Sequence, residues 1–572
     1  MILVAQTQID DYTAKGWWGS VTLWDLFVKN LDEQPEAQAV VDAPNRADFA
    51  HGTPRRLSWA QLAAQVDQFS LQLLAKGIQR DDVLVMQLPN CVEQFVVYLS
   101  CARLGIIVSP VPVQYREHEL GHVLYTTQAV AAVTFVRIGK ADSAHEAAAM
   151  FAGLQTEHAP LKTVLILEDF TNNPLNKDEL LVLKQAERAA HVTANDVFTI
   201  CWTSGTEAQP KGVPRSHNEW LVVAPSIIEA ADLQPKARLL NPFPLVNMAG
   251  LSTAFASWLV LGATVVQHQP FSLPVFLQQL RDEKIDYTVA PPAILNMLLQ
   301  NEALLAGIDF KRLCRIGSGS APLSDWMVRG FEEKYGVQIV NYFGSNEGAA
   351  LSGNHIDIPD PALRAQFFPR AGVVGYDWSI STTRKITTRL VDVLTGENIT
   401  TADTPGELRF AGPTLFSGYY RAPELSKRAF DAQGFYKTGD LFEIAGDRLQ
   451  YYRYVGRSKD LVIRGGVNIS SEEIENLLLA CPGVREAAVV GVPDEVLGEK
   501  VCACVVVSSG EQVTLESLNA FLTNHKRIAR YKLPEYFLAL TTLPRSPIGK
   551  ILKRELREQA KTLVPAALKV AA

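Results

Sequence analysis

Apolar positions recur at helical spacing through Thr22-Leu-Trp-Asp-Leu-Phe-Val28 and, over a longer stretch, at Leu62, Val66, Phe69 and Leu73 within Ser58–Lys76. Both stretches predict amphipathic helices. Ser58 is placed to cap the second, and Gly77 to stop it. Ala39-Val-Val-Asp42 and Asp82-Val-Leu-Val-Met-Gln87 lack helical periodicity and predict buried strands. Cys91–Leu104 predicts an apolar helix ended by Gly105, with Ile106-Ile-Val-Ser-Pro-Val-Pro112 returning to extended chain. The same unit returns at Ala263–Val266, Pro274–Asp286 and Tyr287–Ala290. Strand, helix and Gly/Pro turn in alternation predict an α/β fold with parallel-rich sheets.

Near Gly406 the texture changes. Leu408–Ala411, Gly434–Asp440, Phe442–Ile444 and Leu449–Tyr454 are short, turn-separated β-prone runs that predict a small β-rich subdomain over about 406–458. Ser471–Ala480, with Glu472, Glu473 and Glu475 in its first turns, predicts a helix. Strands at Ala487–Gly491 and Cys502–Val507 and a helix at Thr514–His525 follow, before a basic tail carrying Lys550, Lys553, Arg554 and Arg557. The expected organisation is a large N-terminal domain, 1–458, and a small α+β C-terminal domain, 459–572. The apolar run Leu251–Val266 is interrupted by Ser252, Thr253 and Ser257, and is short for a membrane span of about 20 residues. It reads as a buried helix plus strand.

Length and composition narrow the classes. A chain of 572 residues exceeds one core, and 47% hydrophobic with 20% charged residues is ordinary globular composition. A net charge of −7 argues against nucleic acid or an anionic membrane as partner. Seven cysteines without metal-type spacing read as reduced thiols. The N-terminus has no basic run and meets Asp10 and Asp11 early, unlike a secretory signal. A cytoplasmic protein is expected.

The stretch that concentrates chemistry is Ile200-Cys-Trp-Thr-Ser-Gly-Thr-Glu-Ala-Gln-Pro-Lys-Gly-Val-Pro214. A β-prone run, Val197–Trp202, delivers backbone N–H groups, the hydroxyls of Thr203, Ser204 and Thr206, the flexible Gly205 and the ammonium of Lys211 to one volume, as a polyphosphate requires. Lys211 precedes Gly212 rather than Ser or Thr, so this is not a Walker loop. An ordinary strand-to-turn connection with an exposed lysine is the alternative on these residues alone.

Five segments in order, Thr203–Gly212, Phe343-Gly-Ser-Asn-Glu347, Tyr436-Lys-Thr-Gly-Asp440, Gly456-Arg-Ser-Lys-Asp-Leu-Val-Ile463 and Pro544–Lys550, resemble the core motifs of the adenylate-forming superfamily. That superfamily contains acyl- and aryl-CoA ligases, peptide-synthetase adenylation domains and luciferases. The resemblance runs from about Thr22 to Leu556 and implies activation of a carboxylate by ATP, with release of pyrophosphate. It implies a phosphate-binding loop at Thr203–Lys211 and Mg²⁺, a hard cation suited to oxygen ligands, at Glu347 with Thr206. It places Phe343 and Gly344 against adenine, with Gly319, Ser320 and Ala321 lining the same slot and Asn346 among the nucleotide contacts. Asp440 and Arg457 become ribose contacts, and Lys550 a catalytic ammonium bridging carboxylate and α-phosphate. Individually each has a plainer reading: Lys550 a solvated tail lysine, Glu347 a surface carboxylate, Asp440 a turn residue, and Arg457 and Lys459 solvated charges.

Lys459 falls at the family's hinge. There the small domain rotates after adenylation, withdrawing Lys550 and presenting Gly465 and Gly466 to the thiol. Most relatives carry Asp at the hinge. The aryl-acid-activating branch carries Lys, and Pro214–Asn218 and Arg464–Leu479 also look like that branch. Gly465-Gly466 would equally make a plain turn before a helix. Pro244-Leu-Val-Asn-Met-Ala-Gly250 aligns with the acyl pocket, which would be lined by Asn247, Met248 and Ser318. Asn247 reads equally as a structural amide. Met248 stands where aryl-acid enzymes hold a ring hydroxyl with Asn, and a thioether leaves such a hydroxyl unpaired, so a mostly apolar acid is expected. Glu207 and Ala208 depart from the usual phosphate-loop residues, and Asn346 replaces a common Thr. The expected activity is an acid–thiol ligase using ATP, Mg²⁺ and CoA. The alternatives are loading of a carrier-protein phosphopantetheine and, from another class, a non-catalytic binding relative.

Overall fold

The computed structural model describes residues 1–139, 146–157, 160–167, 174–203, 210–457, 460–464, 467–494, 497–526, 528, 530–545 and 551–563. The chain divides into two units, Met1–Thr388 with Phe410–Tyr436, and Arg389–Arg409 with Lys437–Ala572.

The first unit carries two sheets. In one, strands 350–353, 338–344, 315–319, 287–289, 238–241, 264–267, 38–41 and 56–58 lie side by side. Its interior is parallel and the outermost strand at each end is antiparallel. The other runs 163–166, 131–134, 83–87, 107–110, 197–203, 211–216, and only its last strand is antiparallel. Parallel strands are joined by helices, which cover the sheet faces and account for the apolar runs in the central strands. All five residues of Val83–Gln87 are buried.

Local signals predict the helix ends. The helix Leu23–Glu33 opens on a Thr22/Asp25 capping box, and Trp59–Ala75 on a Ser58/Gln61 capping box. Val92–Leu104 ends on Gly105 at φ 68°, a conformation open to glycine without steric cost. Its buried start is fixed by charge: Asp42 accepts from Val92 N at 2.9 Å, while Arg46 pairs with Asp42 at 2.7 Å and Glu93 at 2.6 Å. The apolar run near residue 250 is a helix and a strand. Helical chain from Met248 to Leu261 includes a π-helical stretch at Leu251–Ala256, followed by strand Thr264–Gln267. Trp258 stacks on Trp59 at 4.8 Å and meets Phe95 edge-on at 5.0 Å, anchoring this helix in the core.

The second unit contains a sheet with Tyr451–Arg457, Tyr436–Ala445, Gly406–Ala411, Thr387–Val391 and Asn398–Ile399 in that order. The two runs expected around residue 440 are one strand, Tyr436–Ala445, with a register shift between Leu441 and Phe442. The bulge lets the ladder continue where the sequence suggests a break. The helix Ser471–Leu479 packs on strand Tyr451–Arg457, and Ser470 Oγ donates to Val455 O. This packing groups the strands after Tyr436 with the C-terminal segment. There, strands Val484–Asp494 and Gly498–Val507 form a long antiparallel pair, with Tyr536–Leu540 added in parallel. The expected boundary at Ser458–Lys459 lies outside the described residues.

Candidate active site

Strand Val197–Thr203 ends, and Lys211–Ser216 begins, at a paired Thr203 and Lys211, so the loop between them is held at its root by a ladder. Ser204, Gly205, Thr206, Glu207 and Ala208 lie outside the described residues. The Lys211 ammonium stands 5.2 Å from the centre of the Tyr419 ring, and the Tyr419 hydroxyl donates to Glu347 Oε1 at 2.9 Å. Tyr419 is carried there by two backbone bonds, Tyr420 N to Gly212 O at 2.8 Å and Phe416 N to Glu347 O at 2.9 Å.

Glu347 belongs to a tight turn after strand Gln338–Gly344, closed by Ser345 N to Ala349 O at 2.9 Å. Gly348 makes this turn possible. At φ 99°, an added Cβ would lie 1.9 Å from Thr414 O. Beneath it Arg215 is fully buried and gives its guanidinium to three carbonyls: Asn346 at 3.2 Å, Glu219 at 2.7 Å and Thr414 at 2.9 Å. Burial pushes its pKa down against the pull of Glu219 and Glu347, yet a guanidinium stays charged. A fixed positive charge therefore underlies the Glu347 carboxylate. In the sequence Arg215 is one residue of Pro214–Asn218; its place under this turn depends on pairing that no local pattern reveals.

Asn346 uses both ends of its amide on backbone. Nδ2 donates to Trp202 O at 3.1 Å, and Oδ1 accepts from Met248 N at 2.8 Å. One side chain thus joins the end of strand Val197–Thr203, the Glu347 turn and the start of the helix after residue 247. Asn247 caps that helix, its Oδ1 accepting from Gly250 N at 3.2 Å, which is the structural use of the amide. Met248 is buried, and Ser318 Oγ donates to Ala290 O at 2.8 Å. Asn90, which no motif marks, clamps the loop before Asn247 by donating to Phe243 O at 2.8 Å and accepting from Leu245 N at 3.2 Å.

Strand Arg315–Gly319 runs parallel to Gln338–Gly344. A Cβ on Gly319 would sit 2.2 Å from Tyr342 O, so only glycine allows this approach. Ser320 follows at φ 68°, and Ser320, Ala321 and Gly344 are exposed. Phe343 is half-buried and meets Phe368 edge-on at 6.4 Å. The buried Ser345 Oγ has no hydrogen-bond partner among the described residues. A buried hydroxyl left without a partner can donate to an incoming oxygen acceptor such as a phosphate.

In the second unit Asp440 and Arg457 face each other across the ladder, Arg457 Nε 2.9 Å from Asp440 Oδ1. Thr438 Oγ1 accepts from Asp440 N at 3.0 Å and fixes the turn. Glu472 is held near pH 7 by burial and by the neighbouring Glu475 carboxylate, against Lys553 and a hydrogen bond with Tyr454, with Asp440 adding to the rise. Lys459, Gly465, Gly466 and Lys550 lie outside the described residues. No described helix is long and apolar enough to cross a membrane.

Residues 27–420 match the AMP-binding enzyme family, and residues 473–550 match the AMP-binding enzyme C-terminal domain. The chain belongs to the AMP-binding enzyme family. A medium-chain fatty-acid–CoA ligase of Escherichia coli K12 is 29% identical over 555 residues, covering 96% of this chain and 92% of the relative. A 2-hydroxy-7-methoxy-5-methyl-1-naphthoate–CoA ligase of Streptomyces carzinostaticus is 31% identical over 570 residues, covering 96% and 95%. Enterobactin synthase component E of Escherichia coli K12 is 28% identical over 566 residues, covering 96% of each. Among solved structures, ATP-bound MatB from Rhodopseudomonas palustris superposes with a TM-score of 0.74 at 26% identity, covering 95% of this chain and all of that one. Adenylate-forming CoA ligases use ATP, Mg²⁺ and CoA.

Proposed function

We propose that this protein activates a mostly apolar carboxylic acid as its acyl-adenylate, releasing pyrophosphate, and then transfers the acyl group to CoA. The observation that carries this reading is the grouping of Lys211, Tyr419, Glu347 and Asn346 at the root of the Thr203–Lys211 loop, one step from Met248. A carboxylate attacking an α-phosphate must overcome repulsion between two anions, and fixed cations and aimed donors lower that barrier. Lys211, the hydroxyls of Thr203, Ser204 and Thr206, and the N–H of Gly205 hold the outer phosphates in this reading. Glu347 and Thr206 hold Mg²⁺, which supplies charge neutralisation on the phosphates when bound. Phe343, Gly344 and the Gly319-Ser320-Ala321 segment take the adenine, Asp440 and Arg457 the ribose, and Lys550 the attacking carboxylate.

Asn346 also donates to Trp202 O and accepts from Met248 N, so in this reading it shapes the site by tying those two backbone segments together. In this reading the acid pocket is lined by Met248, whose thioether accepts apolar shape and donates no hydrogen bond, together with Asn247 and Ser318, each hydrogen-bonded to backbone. Lys459 serves as the hinge for the second step, and Gly465-Gly466 admits the pantetheine arm. The test is acid-dependent exchange of pyrophosphate into ATP across a panel of carboxylic acids, followed by thioester formation with CoA. No exchange with any acid refutes the reading in favour of a binding protein.

A second reading keeps the first step and delivers the acyl group to a carrier-protein phosphopantetheine. It is favoured by Lys459 and by the similarity to enterobactin synthase component E. Saturable thioester formation on free CoA, with no preference for a loaded carrier, excludes it.

A further inference from the structure

Lys211 and Glu347 carry opposite charges, and one side chain touches both. Tyr419 takes the Lys211 ammonium on its ring face at 5.2 Å and gives its hydroxyl to Glu347 Oε1 at 2.9 Å. The two contacts use different parts of the phenol. The ring quadrupole attracts a cation whether or not the hydroxyl is present, whereas the carboxylate needs the O–H. The ring is held in place independently of either charge. Tyr419 N donates to Ser426 Oγ at 2.9 Å, Phe416 packs edge-on at 4.9 Å, and Tyr420 N is bonded to Gly212 O at 2.8 Å.

We infer that Tyr419 is a positioning residue that holds Lys211 and Glu347 in place together, the ammonium aimed at the phosphates and the carboxylate at the cation that accompanies them. A direct Lys–Glu pair would spend each charge on the other. With the phenol engaging each at a separate point, one oxygen of Glu347 accepts from tyrosine and its other oxygen faces away from that bond. The ring face attracts the ammonium through its quadrupole, without an oxygen lone pair accepting one of the N–H groups. This inference rests on the proposed roles of Lys211 and Glu347. It adds a residue outside the motifs that point to them.

The two contacts separate by substitution. Tyr419→Phe keeps the ring and removes the hydroxyl, whereas Tyr419→Leu removes both. Two binding measurements on the full-length protein read them without turnover: fluorescence titration with a mant-labelled ATP at saturating Mg²⁺, and Mn²⁺ binding in the presence of ATP followed by electron paramagnetic resonance. The expected result for Tyr419→Phe is Mn²⁺ affinity weakened about five- to tenfold, with mant-ATP affinity at saturating Mg²⁺ within about twofold of wild type. For Tyr419→Leu, mant-ATP affinity falls by a further factor of about three. Unchanged Mn²⁺ affinity in Tyr419→Phe overturns the inference, and so does an equal loss of both affinities in the two variants, which marks a merely structural ring. Because neither measurement uses an acid, wild-type protein that binds Mg²⁺–nucleotide but catalyses no exchange defeats the proposed function and leaves this test intact.

Discussion

Replacing Asn346 with alanine removes two hydrogen bonds at once: the donation to Trp202 O at 3.1 Å and the acceptance from Met248 N at 2.8 Å. Trp202 and Met248 are both buried, so each backbone group loses a partner in a place that water reaches poorly. A bond lost with its partner left buried costs about 1–3 kcal/mol. Asn346 itself is only half-buried and its departure opens a space that water can enter, so the lower end applies, about 1 kcal/mol for each bond. The sum, about 2 kcal/mol, corresponds to about thirtyfold in an equilibrium constant. If the amide fixes the start of the Met248 helix against the phosphate-loop root, that loss falls on substrate. The KM for acid in pyrophosphate–ATP exchange then rises about ten- to thirtyfold, while the denaturation midpoint moves little. Asn346→Asp sharpens the assignment. It can still accept from Met248 N, but it sets a carboxylate oxygen against Trp202 O, so its damage falls more on the KM for ATP than on that for acid. An alanine variant with both Michaelis constants within about twofold of wild type refutes the coupling. One with a lowered midpoint and unchanged Michaelis constants reduces Asn346 to a fold-stabilising residue.

Three further outcomes are expected. Lys550→Ala should lower acid-dependent exchange by about a hundredfold or more while sparing CoA thiolation of a supplied acyl-adenylate, and equal loss of both steps counts against a lysine that acts in only one. Gly348→Ala should destabilise the protein by more than about 3 kcal/mol, read as a fall in the urea midpoint, because it combines a left-handed φ of 99° with a Cβ 1.9 Å from Thr414 O. Glu472 has its folded pKa raised from 4.5 to about 7, so folding takes up a proton there and its contribution is fully present below about pH 4.5. It is lost as pH rises to 7, by no more than about 3 kcal/mol. Glu472→Gln should therefore flatten the fall in stability between those pH values and raise the urea midpoint at pH 8, and an unchanged pH slope contradicts the assignment.

The parts of this molecule that were legible in sequence are those set by chemistry within a few residues of each other. Ser58 with Gln61 and Thr22 with Asp25 cap their helices because the partner lies three positions on. Gly105 stops a helix because it tolerates the left-handed region, and no distant contact is needed to predict it. The order of five motifs points to the adenylate-forming superfamily without any tertiary contact. What the sequence hid is set by pairing across hundreds of positions. Arg215 reads as one more basic residue in Pro214–Asn218 until Thr414 and Asn346 offer it their carbonyls. Asn346 sits in a nucleotide motif, yet its partners are Met248, 98 positions away, and Trp202, 144 away. Tyr419 lies in none of the five motifs, because what it bridges, Lys211 and Glu347, is joined only after strand Lys211–Ser216 and the segment around Phe416 have come together. A motif names the groups that touch a ligand. The side chains that hold those groups apart, aim them and keep them charged are selected by the fold around them, and at this site Tyr419, Arg215 and Asn346 are the residues whose substitution will tell holding from touching.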